Sequence, residues 1–357
     1  MNIFITGICG CVGSTLAREL RAADPDVEIF GIDNLTRPGS ERNCRALKAE
    51  GIRVVHGDIR AQSDVDALPP ADWVLDAAAN PSVLAGVDGT TSSRQLVEHN
   101  LGGTVNLLEF CKRHGAGFTL LSTSRVYAIE PLCSVKVEAR DGAFVPTAGQ
   151  DFPAGLSAEG VAESFSTQAP VSLYGSTKLA SEALALEYGA TFGFPVWINR
   201  CGVLAGAGQF GRPDQGIFSF WINSWLRRAP LKYIGFDGMG HQVRDALHPR
   251  DLVPVLHAQF AEPLGTEKPR VVNFSGGAEN SLSLRQLSAW CEQEFGFAHE
   301  VGHQAEDRPF DIPWMVLDPS LAKEVWDWSP GASIKEILGE IAAHARENED
   351  WLQLSAS

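Results

Sequence analysis

The 357 residues contain no run of eighteen apolar residues, so no segment reads as a membrane span. The seven cysteines include no Cys-x-x-Cys pair. That removes the common zinc and redox motifs, and no metal site is expected. An odd number of free thiols fits a reducing compartment. Positive charge is scarce: 29 Lys and Arg stand against 44 Asp and Glu, a net charge of −15. This balance excludes a general nucleic-acid or acidic-membrane binder. An anionic ligand would have to be gripped by local arginines against the overall field. Internal repeats and low-complexity tails are missing too. No signal peptide is visible, because an apolar strand starts at residue 2. A soluble, cytoplasmic protein is the expectation.

What is present begins at once. Asn2 to Thr6 is a short apolar strand; Gly7, Gly10 and Gly13 follow; a helix-like run, Ser14 to Arg21, comes next. Strand, glycine turn and helix place a pyrophosphate on a helix N-terminus. Gly7 allows the tight turn, Gly10 lets backbone approach the phosphates, and Gly13 lets helix and strand pack closely. Cys9 and Cys11 flank Gly10, where small side chains fit, and read as packing residues. A second strand, Glu28 to Ile32, ends at Asp33. A carboxylate there accepts two ribose hydroxyls and repels a 2′-phosphate, which favours NAD over NADP. Arg37 is the counter-signal.

Strand and helix patterns alternate over the first 125 residues, with strands at Ile3–Thr6, Ile29–Asp33, Arg53–His56, Trp73–Ala77 and Phe118–Ser122. A helical pattern covers Asn100 to His114, another Leu173 to Phe192, and Pro195–Arg200 reads as a further strand. The alternation predicts an α/β fold: a Rossmann-type doubly wound parallel sheet with a smaller C-terminal α+β substrate domain. Residues 1–199 are expected to hold the cofactor. Residues 200–357 are expected to hold the substrate, with segments that interleave with the first part. Residues 128–172 form a long connection rich in Glu, Asp, Pro, Ala and Ser. It reads as a substrate-covering flap or as a plain surface excursion.

Tyr174 and Lys178 lie four apart at the start of the long helix, so they share a helical face. Thr123 follows the fifth strand. Together they suit proton-coupled hydride transfer: Tyr174 as acid/base on a sugar hydroxyl, Lys178 on the nicotinamide ribose, Thr123 sharing the hydrogen bond to the reacting oxygen. A cation about 4 Å from the phenol contributes roughly 4 kcal/mol at an effective dielectric near 20. That is about three pKa units, enough to bring a tyrosine towards neutrality, while burial pushes the other way.

Several further strings, in order, carry a resemblance: Thr6-Gly7-x-x-Gly10-x-x-Gly13, Asp33-Asn34, His56-Gly57-Asp58-Ile59, Ala77-Ala78-Ala79, Asn100 with Gly103-Thr104-x-Asn106, and Tyr174-x-x-x-Lys178. The chain resembles the extended short-chain dehydrogenase/reductase family that acts on nucleotide sugars. The resemblance implies an NAD cofactor held by Gly7, Gly10, Cys11, Val12 and Gly13. Asp33 and Asn34 would take the adenosine ribose, Asp58 and Ile59 would flank adenine, and Ala77, Ala78 and Ala79 would line the channel. Asn100 and Ser122 would lie near the nicotinamide. It implies a homodimer through helices 102–114 and 179–192, although their apolar faces also fit burial within one subunit.

The C-terminal half is most similar to the branch that inverts carbon 2 of a CDP-linked sugar. The matching text is Gln209-Phe210, Asp214-Gln215-Gly216, Gln242-Val243-Arg244-Asp245-x-x-His248, Asn280 to Leu284 and Asp327-Trp328-Ser329-Pro330. By that resemblance Arg244 and Arg308 grip a diphosphate, Asp311 lies near the nucleotide ribose, and Lys232 and Ile234 flank the base. Gln209, Gln215 and Gly216 fall near the phosphates or sugar. His248 reads as structural. Phe218, Phe220, Trp221 and Trp225 read as core or subunit packing.

Epimerisation at another carbon, chiefly carbon 4, stays open, as does the nucleotide. A dehydratase needs an extra acid and base; the residues after Thr123 are Ser124 and Arg125, where family dehydratases carry an Asp-Glu pair. Glu130 or Glu138 of the long connection could stand in. A carbonyl reductase and a non-enzymatic NAD-binding sensor are the remaining alternatives. Val203 and Ala128 depart from the family pattern, which usually has asparagine and glycine there.

Overall fold

The computed structural model describes residues 1–87, 89 and 92–356. Seven parallel strands form the central sheet: β1 (Asn2–Thr6), β2 (Glu28–Asp33), β3 (Arg53–His56), β4 (Trp73–Asp76), β5 (Gly117–Thr123), β6 (Val196–Cys201) and β7 (Val271–Phe274). Their spatial order is β7-β6-β5-β4-β1-β2-β3. The order reverses between β1 and β4, which opens a crevice at the C-terminal ends of the strands. Alternate residues face opposite sides of the sheet. Ile3 and Ile5 of β1 pack with Leu16, Leu20 and Leu47, while Phe4 packs with Leu107, Phe110 and Ala185. Both faces are thus covered, and short apolar runs are what such strands require.

Two features were not visible as local patterns. The helix expected from Asn100 begins instead with a π-helical turn, Glu98–Gly102, before Gly103–His114. The last sheet strand, β7, comes from the C-terminal half and pairs in parallel with β6. The sheet is therefore incomplete until residue 274.

Residues 128–172 do not form a flap. They carry a short helix, Ile129–Cys133, and a hairpin of Val137–Arg140 with Ala143–Pro146. Backbone bonds tie the segment to distant chain: Phe144 N to His241 O at 2.8 Å and Val161 N to Val316 O at 2.9 Å. Val126, Leu132, Leu156, Val161 and Phe165 share an apolar cluster with Trp314 and Leu317. No residue from 128 to 172 lines the crevice; the segment buttresses one of its walls from behind.

Beyond β6, Ile217–Leu226, Leu284–Phe295 and Ile334–Glu347 are helices. The last two start with reciprocal caps, Ser283 with Gln286 and Ser333 with Glu336. Phe218, Trp221 and Trp225 lie in the core between them. His248 is buried, with Nε2 3.1 Å from Glu340.

Asp245, at 1 % exposure, gives this core a pH dependence. It lies against Gly202, where a Cβ would come within 2.3 Å of its carboxylate, and it accepts the Ser275 hydroxyl. Burial pushes its carboxyl up to about 6 from 3.8. The folded state thus holds this proton more tightly than the unfolded chain does. Its effect on stability is most favourable below the unfolded pKa and is lost as pH rises through the folded one. The difference amounts to about 3 kcal/mol. Asp245→Asn is expected to flatten stability between about pH 4 and about pH 7.5 relative to wild type. Urea unfolding at the two pH values checks this; equal slopes in both proteins would refute it.

Candidate active site

A cavity of about 830 Å³ runs from the glycine turn, past the ends of the sheet strands, to the loops of the C-terminal half. Six arginines line it against four aspartates, and no glutamate does. The cavity is cationic inside an acidic molecule.

At one end the glycine turn has the geometry of a phosphate cradle. Gly7 has φ of 60°, and Gly10 N–H donates to Gly7 O at 2.9 Å. A Cβ on Gly13 would come within 2.3 Å of that same carbonyl, so only glycine lets the helix sit so close. The helix Cys11–Ala23 has no side-chain cap at its start, which leaves its first N–H groups for an anion. Gly7, Gly10, Cys11, Val12 and Gly13 all line the cavity.

Asp33, Asn34, Asp58, Ile59, Ala77, Ala78, Ala79 and Ser122 line the adjoining wall. The Asp33 carboxylate accepts Cys9 N–H at 2.9 Å and Leu35 N–H at 2.8 Å. Burial pushes its pKa up, and those N–H groups oppose the rise. Asn34 Nδ2 donates to Asp58 at 3.1 Å. The Asp58 carboxyl is held far below its usual range, first by its hydrogen bonds from the Arg60 side chain. Among the described residues four buried polar atoms of lining residues have no partner: Arg37 Nη2, His99 Nδ1, Gln209 Oε1 and Gln242 Oε1. Buried polar atoms normally find partners, so these fit a ligand that offers an acceptor to the Arg37 N–H and hydroxyl donors to the glutamine oxygens. The glycine cradle, the Asp33 carboxylate at the adjoining wall and the unpartnered atoms together fit a dinucleotide.

Tyr174 (6 % exposed) and Thr123 line the cavity near its middle. Burial raises the phenol pKa; a hydrogen bond with Thr123 and the Arg125 guanidinium lower it. Lys178 does not line the cavity and is 2 % exposed. Burial lowers its pKa, and Asp76 and Glu182 oppose that. A second cation, Arg125, thus bears on the phenol beside the lysine expected from the Tyr-x-x-x-Lys spacing. The ammonium lies in the field of Asp76 and Glu182. Asn100 also lies off the wall. Its Oδ1 accepts Asn80 N–H at 2.8 Å and its Nδ2 donates to Thr177 Oγ1 at 3.2 Å, so it fixes the loop after β4 to the Tyr174 helix.

Gln209, Gln215, Gly216, Ile234, Arg244, Arg308 and Asp311 line the far end. Lys232 does not; it is exposed on the strand Leu231–Ile234. Arg244 donates to Asp311 at 3.2 Å and to Ile312 O at 2.9 Å. The loop 209–216 is tied to both halves. Ser82 donates to Asp214 at 2.6 Å, and Arg308 donates to Pro213 O at 3.1 Å. Arg212 donates to Ser355 O at 3.0 Å. Arg125 and Gln242 escaped the sequence reading as site residues. Arg125, two past Thr123 on the same turn, carried a findable signal.

No helix of the described residues is long and apolar enough to cross a membrane. Residues 3–275 match the model of the "NAD dependent epimerase/dehydratase family". A CDP-paratose 2-epimerase from Salmonella typhi is 28 % identical over 94 % of this chain and 96 % of its own. A UDP-glucuronate 4-epimerase from Thermodesulfobacterium geofontis is 27 % identical over 98 % and 97 %. In structure, the UDP-glucuronic acid 4-epimerase of Bacillus cereus, in complex with UDP-glucuronic acid and NAD, superposes with a TM-score of 0.75. It covers 97 % of this chain and 99 % of its own, at 24 % identity.

Proposed function

We infer the reaction from one premise: the chain belongs to the NAD-dependent epimerase/dehydratase family. We propose that it inverts a carbinol carbon of a nucleotide sugar, with carbon 2 of a CDP-linked sugar as first choice. NAD, held by Gly7, Gly10, Cys11, Val12 and Gly13, would supply hydride-accepting and hydride-donating chemistry at the carbinol carbon. The protein's own groups do the rest. Tyr174 takes the hydroxyl proton at its phenolate oxygen and gives one back. Thr123 fixes that phenol and shares the bond to the reacting oxygen. Lys178 stands behind the wall, in the field of Asp76 and Glu182, and in this reading reaches the nicotinamide ribose once the dinucleotide is bound. Arg244 and Arg308 hold the diphosphate by charged hydrogen bonds, with Gln209, Gln215, Gly216 and Asp311 around it and Ile234 at the base. In this reading residues 1–199 carry the cofactor and 200–357 the sugar nucleotide.

The observation that carries epimerisation over dehydration is the wall around Tyr174. It presents Thr123, Ser124 and Arg125, with no acid pair to remove water. Asp311 is engaged by Arg244. Glu130 and Glu138 do not line the cavity, and Glu138 pairs with Arg140. The 4-epimerase reading rests on the similarity to UDP-glucuronate 4-epimerases.

The test is incubation with CDP-, UDP-, GDP- and dTDP-sugars in deuterated water, read by NMR. An inverted carbon without solvent deuterium is expected. Deuterium beside a new ketone would mean dehydration, and deuterium at the inverted carbon would mean carbanion chemistry; either would reject the proposal. A homodimer through the helices Gly103–His114 and Ser172–Phe192 belongs to the same reading. The Phe192 ring, 45 % exposed, supports it, and light scattering tests it.

A further inference from the structure

Arg125 has no role in the scheme above, yet its position is highly constrained. Its backbone N–H donates to Thr123 Oγ1 at 3.2 Å. Its carbonyl faces Gly175, where a Cβ would come within 2.3 Å. The turn that carries Arg125 is thus pressed against the first turn of the Tyr174 helix. On its other side the guanidinium donates to Phe310 O at 3.3 Å. Arg244 holds the next two residues, Asp311 and Ile312. Two guanidiniums therefore grip one short segment, and both line the cavity. Arg244 is paired with Asp311, whereas Arg125 forms no ion pair among the described residues.

A desolvated cation with no direct ion pair is costly unless an anion meets it; Asp311, paired with Arg244, reaches Arg125 only through its field. Arg244 makes the Arg125 guanidinium harder to hold charged. Burial first, then Arg244, pushes Arg125 down to about 10. A phosphate between them relieves both, since guanidinium forks match phosphate oxygens. We infer that Arg125 joins Arg244 on the sugar-bearing phosphate, and that by holding this phosphate beside Tyr174 it selects the carbon next to the anomeric one for oxidation. This rests on the nucleotide-sugar reading of the cavity. Carbon 2 adjoins the phosphate-bearing carbon, whereas carbon 4 lies across the ring. A phosphate held by a residue that also faces the phenol brings the 2-hydroxyl to Tyr174 and turns the 4-hydroxyl away.

The step balances with the groups already named. The C2–H bond would break with its electron pair leaving as hydride to a dinucleotide held at the glycine turn. The hydroxyl proton passes to the Tyr174 phenolate, and C2=O forms. The return delivers hydride to the other face of the ketone and the phenol proton to its oxygen.

Arg125→Met and Arg125→Lys test this. Calorimetry compares nucleoside diphosphate with nucleoside monophosphate, and NMR locates the inverted carbon. Wild type is expected to invert carbon 2. Arg125→Met should weaken the diphosphate by about tenfold to a hundredfold, the range of one charged hydrogen bond, and leave the monophosphate unaffected. Its kcat should fall more than its KM rises, and the lysine variant should recover part of both. Three results would overturn the inference: inversion at carbon 4 by wild type, unchanged diphosphate affinity in a folded, NAD-loaded methionine variant, or a loss confined to sugars bearing a carboxylate. If wild type turns over no nucleotide sugar, the broader reading fails, and the calorimetry alone still decides whether Arg125 holds a phosphate.

Discussion

Tyr174→Phe is expected to lower turnover by about a thousandfold while NAD loading and nucleotide affinity stay near wild type. The substitution removes one oxygen. The ring remains packed against Ala85, Leu96 and Val83, so the fold has little reason to respond. What disappears is the group that takes the hydroxyl proton and the acceptor for Thr123. Single-turnover conversion followed by NMR measures the first effect, and equilibrium dialysis measures the second. A loss below tenfold would remove Tyr174 from proton transfer. In wild type the rate should rise with pH, because burial pushes the phenol up and only the ionised form accepts a proton.

Glu182→Ala should give the largest loss of stability, about 3–5 kcal/mol. Its carboxylate meets Arg200 at 2.7 Å, with the two side chains 5 % and 8 % exposed. It also accepts the Ser122 hydroxyl. Arg200 contacts Tyr127 Oη at 3.3 Å, and that hydroxyl donates to Asn273 Oδ1 at 2.7 Å. Asn273 Nδ2 in turn donates to Val161 O at 2.9 Å. One buried chain of polar contacts therefore joins β5, the Tyr174 helix, β6, β7 and the 128–172 segment. Burial works against the Arg200 charge, and Glu182 more than offsets it. Alanine leaves that charge alone in the interior. Replacing both partners, Glu182→Leu with Arg200→Leu, should recover much of the loss. Urea midpoints of the single and double variants measure it; a loss under about 1 kcal/mol for the single change would contradict the account.

The N-terminal half was legible because its signals are local. Apolar runs fall at β1, β2 and β3 almost to the residue, and the glycine spacing fixes the turn that Gly13 packs against. Lys178 was legible as a helix neighbour of Tyr174, whereas its place in the field of Asp76, on β4, was not. Glu182 continues the same face at the next step of four, so spacing alone could have found it. Residues 128–172 were misread because their apolar partners, Trp314 and Leu317, lie far along the chain. Alternation in Leu231–Ile234 puts Lys232 and Ile234 on one side, yet only Ile234 reaches the cavity.

The seventh strand also has a consequence for synthesis. Chains emerge from the ribosome N-terminus first. When β6 appears, its outer edge has no partner, and none arrives until residues 271–274 follow. Throughout that interval the nascent chain offers an open row of amide and carbonyl groups, the kind of edge on which strands of other molecules add. Cellular yield should therefore respond to translation speed between residues 201 and 271 and to chaperones that cover bare strands.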